Sequence, residues 1–229
     1  VAVLQIEPAS LVSLNVGKPI AIAHGAKEMI SGIYKHASDE AHQLELTGLS
    51  GDGQGDLVHH GGPDKAVCAY FAAHYPYWRT QLSTPISYGA FGENFTISEW
   101  TEAQLCIGDI IEAGELLLQV SQPRQPCYKL GVRHQMADLP VKVQKTGYTG
   151  FYFRVLREGK AQAGMKLRLK QRHHAGITIA EANRLMYVDK QDIKGLQKLL
   201  AVKELAQSWQ EQLGSRLERL LAAQEGTRQ

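Results

Sequence analysis

Short apolar runs punctuated by glycine, with little helical periodicity before about residue 170, predict a mainly β chain closed into a barrel. Three amphipathic repeats beyond that point predict a small all-helical unit behind it. These two observations divide the chain into a barrel domain over 1–170 and a three-helix domain over 171–229.

Taken in order, Leu11–Val16 and Ile20–Ala23 read as strands, ended by Gly17-Lys18-Pro19 and by His24-Gly25. Ser31–His36 reads as a further strand, and Leu44-Glu45-Leu46 alternates like an edge. Gly48–Asp56 holds four glycines in nine residues and reads as a flexible loop, because its spacing is not a dinucleotide fingerprint. His59 and His60 are adjacent, so on a strand they would face opposite ways. In His60-Gly61-Gly62-Pro63-Asp64-Lys65, paired glycines allow backbone N–H groups to converge on an anion, and Lys65 could add charge. A plain turn explains Gly61 and Gly62 equally simply. Asp64 is placed to cap a helix over Lys65–Leu82, with Tyr70, His74, Tyr75, Trp78 and Leu82 at helical spacing and Pro76 interrupting it. Ile107–Glu115 is a strand–turn–strand, and Val155-Leu156 and Met165–Leu169 complete the barrel.

The texture changes at Gln171–Gly176. Thr178-x-x-Glu181 is a capping box that opens a helix through Met186. Asp189 is expected to cap a second helix, with Ile193, Leu196, Leu199 and Leu200 on its face. Leu205, Trp209, Leu213, Leu217 and Leu220 form the stripe of a third. Residues 171–229 carry nine Lys/Arg against seven Asp/Glu, which argues against nucleic acid as a partner. The stripes need a surface: the barrel, a second copy in a homodimer, or another protein.

Of 229 residues, 21% are charged and the formal net charge is +2, which argues against a surface dominated by nucleic-acid phosphates and leaves room for a local basic patch. No apolar run nears the ~20 residues that span a bilayer, so no membrane role is expected. The N-terminus lacks a signal-peptide pattern. Three cysteines without a CxxC pair make no disulfide framework and fit a cytoplasmic, reducing setting. Cys68 and Cys106 lie in apolar runs and read as small buried hydrophobes.

Cys127 differs. It ends Ser121-Gln122-Pro123-Arg124-Gln125-Pro126, where two prolines forbid a helix and an interior strand and stiffen the loop. Arg124 and Lys129 flank it, a setting that favours the thiolate, the form that attacks electrophiles and binds soft metals. An incidental loop cysteine is the competing reading.

Five stretches together resemble one family, the MOSC domain, named for the C-terminal domain of molybdenum cofactor sulfurase. They are Gly48-Leu49-x-Gly51-Asp52, His60–Ala66, Phe91-Gly92-Glu93-Asn94, Ile107-Gly108-Asp109 and Pro123-Arg124-x-Pro126-Cys127. The resemblance covers about residues 10–170. The helical tail looks like the three-helix domain behind MOSC in the bacterial branch of 6-hydroxylaminopurine resistance proteins. It implies a barrel that binds molybdenum cofactor (molybdopterin), with Cys127 as metal ligand and catalytic residue. Asn94 matches a cofactor-contacting position. Arg124, Gly61, Gly62 and Lys65 are anion contacts argued from charge and geometry. The family's eukaryotic members carry arginine where this chain has Gly92, so a contact made there must come from elsewhere, such as Arg124 or Lys65.

The implied activity is molybdenum-dependent reduction of N-hydroxylated substrates. No flavin, haem or iron–sulfur motif is visible, so electrons are expected from a flavoprotein partner. Two other readings stand beside it. One is a sulfur carrier with a persulfide on Cys127; the other is a docking or regulatory module acting through the tail. A pyridoxal phosphate enzyme has little support: Lys65 or Lys129 could form the Schiff base, but nothing supplies the rest of that site.

Overall fold

The computed structural model describes residues 6–24, 27–55 and 61–226; the histidine pair at 59–60 lies outside them. Its strands are β1 (Ala9–Val16), β2 (Ile20–His24), β3 (Lys27–Ser31), β4 (His36–Ser38), β5 (His42–Glu45), β6 (Gly48–Leu49) and β7 (Val67–Phe71). There follow β8 (Phe95–Ile97), β9 (Ile110–Ala113), β10 (Leu116–Pro123), β11 (Phe151–Arg157), β12 (Gly159–Ala161) and β13 (Lys166–Gln171). The helices are α1 (Tyr75–Gln81), α2 (Tyr128–Arg133), α3 (Leu139–Thr146), α4 (Ile179–Asn183), α5 (Ile193–Leu200) and α6 (Gln207–Gly226).

Seven strands close a barrel in the order β13-β9-β10-β11-β7-β8-β1, and β1 pairs back onto β13 through Ala9 and Leu167. Closure removes the open edges that a flat sheet would expose. Neighbours are antiparallel except β7 and β8. β4 adds to β1, while β5, β6 and β12 form a small separate sheet and β2 and β3 a hairpin.

Residues 65–82 depart from the expected helix, whole or broken at Pro76. Val67–Phe71 is instead a barrel strand buried along its whole length, and only Tyr75–Gln81 is α-helical. A continuous apolar run fits a strand covered on both faces as well as a helix, and periodicity cannot separate them. Here Ala69 and Phe71 join the barrel core, whereas Tyr70 faces a second cluster with Tyr75, Trp78 and Phe91. The strand expected at Ser31–His36 is also displaced: β3 ends at Ser31 and β4 begins at His36.

The tail is not a free-standing bundle. Ile177, Ile179, Leu185, Leu196, Trp209 and Leu213 belong to the same apolar cluster as Ile107, Leu118 and Val120 of the barrel. Burying one such side chain contributes roughly 1.5–3 kcal/mol. Backbone bonds reinforce the seam: Ile107 N donates to Ile177 O at 2.9 Å, and Ile179 N to Leu105 O at 2.9 Å. The Thr178 cap forms as expected, its Oγ1 accepting from Glu181 N at 3.0 Å. The second cap is Asp192, not Asp189; its Oδ1 accepts from Gly195 N at 2.9 Å, while Asp189 pairs with Arg184. A π-helical turn, Arg184–Val188, follows α4.

Candidate functional site

One end of the barrel opens into a cleft holding ≈ 560 Å³ of empty space, its mouth included. β10 runs out at Pro123 into the Arg124–Cys127 loop, and α2 begins at Tyr128. Cys127 precedes that helix in an extended conformation and makes no side-chain cap bond. It is partly exposed and lines the cleft, whereas Cys106 is buried away from it.

Arg124 is in the lining with Cys127 and has only 6% of its surface exposed. Its Nη1 is buried and has no hydrogen-bond partner. Burial opposes the guanidinium charge, but Cys68, Tyr152, Cys127 and Glu93 around it outweigh that penalty and hold its pKa above the usual arginine value. A buried, unpartnered cationic nitrogen on a residue that lines a cleft is an unmet demand for an acceptor. Lys35, Lys65 and Lys129 also line the cleft, against one described carboxylate, Asp52. Lys35 pairs with Asp52, and Lys129 Nζ donates to Ile30 O at 3.2 Å. The balance around the cavity is strongly cationic.

Asn94 is in the lining, but its amide is already engaged. Its Oδ1 accepts from Cys68 N at 3.1 Å; its Nδ2 donates to Asn15 O at 3.2 Å and to Asp52 Oδ2 at 2.8 Å. It joins three segments of the wall, and both of its N–H donors point at protein. Gly61 and Gly62 do not line the cleft; Lys65 of the same segment does. Asp64 holds the start of α6, its Oδ2 accepting from Gln207 N at 3.0 Å.

The glycine-rich segment is a packed wall. A Cβ on Gly32 would lie 2.2 Å from Gly53 O, and one on Gly53 would lie 2.7 Å from Pro19 Cδ. Gly92, at φ +76, also lines the cleft, and a Cβ there would meet Ile33 Cγ1 at 2.8 Å. A side chain is therefore strained at this position, and the cationic groups of the lining stand at 35, 65, 124 and 129.

Several motif residues prove to be structural. Glu93 is fully buried, accepting from Gly89 N at 2.8 Å, Phe91 N at 3.0 Å and Thr96 Oγ1 at 2.9 Å, and also from Tyr75 Oη. Asp109 accepts from Cys106 N at 2.8 Å and His173 N at 2.9 Å and pairs with Arg172. Sequence reasoning missed Lys35, Cys68 and Tyr152 as lining residues. Cys68 is buried, as read, but lies on the cleft's floor; burial first, then its anionic neighbours, push its thiol up to about 11. Nothing local in the sequence marks Lys35, since only the fold brings it to Asp52.

A closed seven-strand barrel, a cationic cleft with a cysteine on a two-proline loop, and a docked helical tail define a MOSC-type protein. The chain belongs to the MOSC family: the MOSC domain matches residues 56–168. The YiiM-like, 3-alpha helix domain matches residues 177–220, which puts the chain in the bacterial branch carrying that tail. It is 46% identical over 212 residues to the uncharacterized protein YflK of Bacillus subtilis, covering 93% of this chain and 96% of the relative. Identity to protein YiiM of Escherichia coli is 37% over 198 residues, covering 84% of this chain and 82% of that one. The crystal structure of YiiM from Geobacillus stearothermophilus aligns with a TM-score of 0.79 at 38% identity, over 92% of this chain and all of that one. A third relative, from Gibberella moniliformis, bears the name reductase; it is 33% identical over 79% of this chain, which spans only 32% of its length.

Proposed function

We propose that the chain is a molybdenum-cofactor-binding reductase of N-hydroxylated compounds, with Cys127 as the protein ligand of the metal. The observation that carries this reading is the pairing of the partly exposed Cys127 thiol with the buried, unpartnered Nη1 of Arg124 in one cationic cleft. The donor set fits the cofactor. Among the described residues no group of three His, Cys, Asp or Glu side chains could hold a metal ion. A metal held by the Cys127 thiolate would bring other ligands with it, and a molybdopterin dithiolene would supply them. Its phosphate would find Arg124, Lys65 and Lys129, and a thiolate is the soft donor such a metal selects. The reductase name of one relative agrees with this class.

When bound, the cofactor supplies two-electron redox chemistry, taking a hydroxylamino group to an amine and water with two protons. The chain's own residues do the rest. Cys127 anchors, Arg124 and the lysines neutralise anionic charge, and Glu93 and Asn94 hold the wall rigid. Electrons come from a flavoprotein donor. The test is turnover of an N-hydroxylated aromatic substrate by cofactor-loaded protein with an artificial reductant. Cys127→Ser should lose that activity; retained turnover in the variant rejects the assignment. A persulfide on Cys127, seen by mass spectrometry in protein holding no molybdenum, would favour the sulfur carrier.

A further inference from the structure

Asp64, Ser208 and the first turns of α6 lie outside the cleft, yet they touch the two segments that carry Arg124 and Lys65. We propose that the helical tail braces the cleft, and that Asp64 and Ser208 are positioning residues for Arg124, Cys127 and Lys65. On one wall, Ser121 O accepts from Ala206 N at 2.9 Å. Gln122, itself 1% exposed, accepts at Oε1 from Ser208 Oγ at 3.1 Å, and Gln125 Nε2 donates to Gln212 Oε1 at 2.9 Å. Three of the five residues before Pro126 are thus tied to the tail.

The other wall is held by the same helix. Asp64 Oδ2 accepts from Gln207 N, and Asp64 Oδ1 accepts from Arg154 Nε at 2.9 Å. Arg154 Nη1 reaches Glu204 O at 3.3 Å, just before α6. Lys65 follows Asp64 in the same 3-10 turn. Ser121 Oγ donates to Asp64 O at 2.6 Å and so couples the two walls.

The loop needs outside support because its two prolines supply no N–H groups. Arg124 N donates to Gly150 O at 3.0 Å, which fixes its barrel side. The tail fixes the opposite side. A thiol and a guanidinium held in advance lose less freedom when an anionic ligand arrives. This inference deepens the reading above, and its experiment reads the loop itself as well as the cofactor.

Amide exchange followed by mass spectrometry on the full chain provides the test. In Asp64→Ala and Ser208→Ala, the peptide covering 121–130 should exchange five- to tenfold faster, while β1 and β8 stay unchanged. Asp64→Asn should recover most of the protection, because its amide oxygen can still accept from Gln207 N. Molybdenum retained through gel filtration should fall at least twofold in Asp64→Ala. Unchanged exchange in both alanine variants overturns the brace, whatever molybdenum they hold. Equal acceleration in β1 and β8 overturns it too, since that is general loss of packing. Wild-type protein that holds no molybdenum when made in a cofactor-competent host would sink the proposed function and leave the exchange result to decide the brace.

Discussion

Asn94→Ala is expected to strike stability as hard as ligand binding. The amide is 4% exposed and makes three bonds, to Cys68 N, Asn15 O and the Asp52 carboxylate. Truncation leaves a strand N–H, a strand carbonyl and a charged oxygen without this partner. Each orphaned buried group costs about 1–3 kcal/mol, so the variant should lose roughly 3–5 kcal/mol after partial rescue by water. For a chain of this size that corresponds to a fall in Tm of about 6–20 °C. Calorimetry of the variant against the parent, both cofactor-free, measures it directly. A fall under 2 °C with lost cofactor retention would return Asn94 to the pure ligand contact expected from sequence.

Three further outcomes follow from the geometry. Gly92→Ala should destabilise by about 1–2 kcal/mol from the left-handed backbone alone, more with the Ile33 contact, read as a lower urea midpoint at constant slope. His134, partly buried and bonded to Ala90 O at 2.8 Å, has its pKa lowered, chiefly by burial. The unfolded chain then binds the proton more readily, so its contribution is complete above about pH 6.5 and fades as pH falls through the folded value; His134→Gln should flatten urea midpoints between pH 7 and 5. Alkylation of native protein at pH 8 should modify Cys127 well before Cys68 or Cys106, since burial raises both other thiols, Cys68 to about 11.

The barrel was legible because glycine-spaced apolar runs have few other uses, and the Cys127 loop because two prolines and a thiol are local features. The strand at Val67–Phe71 was hidden because burial on both faces erases the alternation that marks strands. The cleft's remaining members were hidden for a different reason. Cys68 and Tyr152 are brought together by barrel register, in which Cys68 pairs with Tyr152 and Tyr152 with Gln122, while Lys35 comes from the connection between β3 and β4. Asp64 looked like a local cap and instead serves a helix that begins at Gln207. The regular stripes of the tail showed that it needed a surface but not which one; the core that those stripes complete belongs to the barrel. Ending the chain near Lys170 would strip that core, so the barrel alone is not expected to keep the cleft.

The measurement closest to the central claim is molybdenum and pterin per chain, taken together on protein made in a cofactor-competent host, for the parent and for Cys127→Ser. Cys127 is partly exposed and makes no cap bond, so the variant should fold with a Tm near the parent's. The account predicts comparable amounts of metal and pterin in the parent. In the folded variant it predicts molybdenum reduced at least tenfold. Equal molybdenum in both proteins would contradict ligation by Cys127.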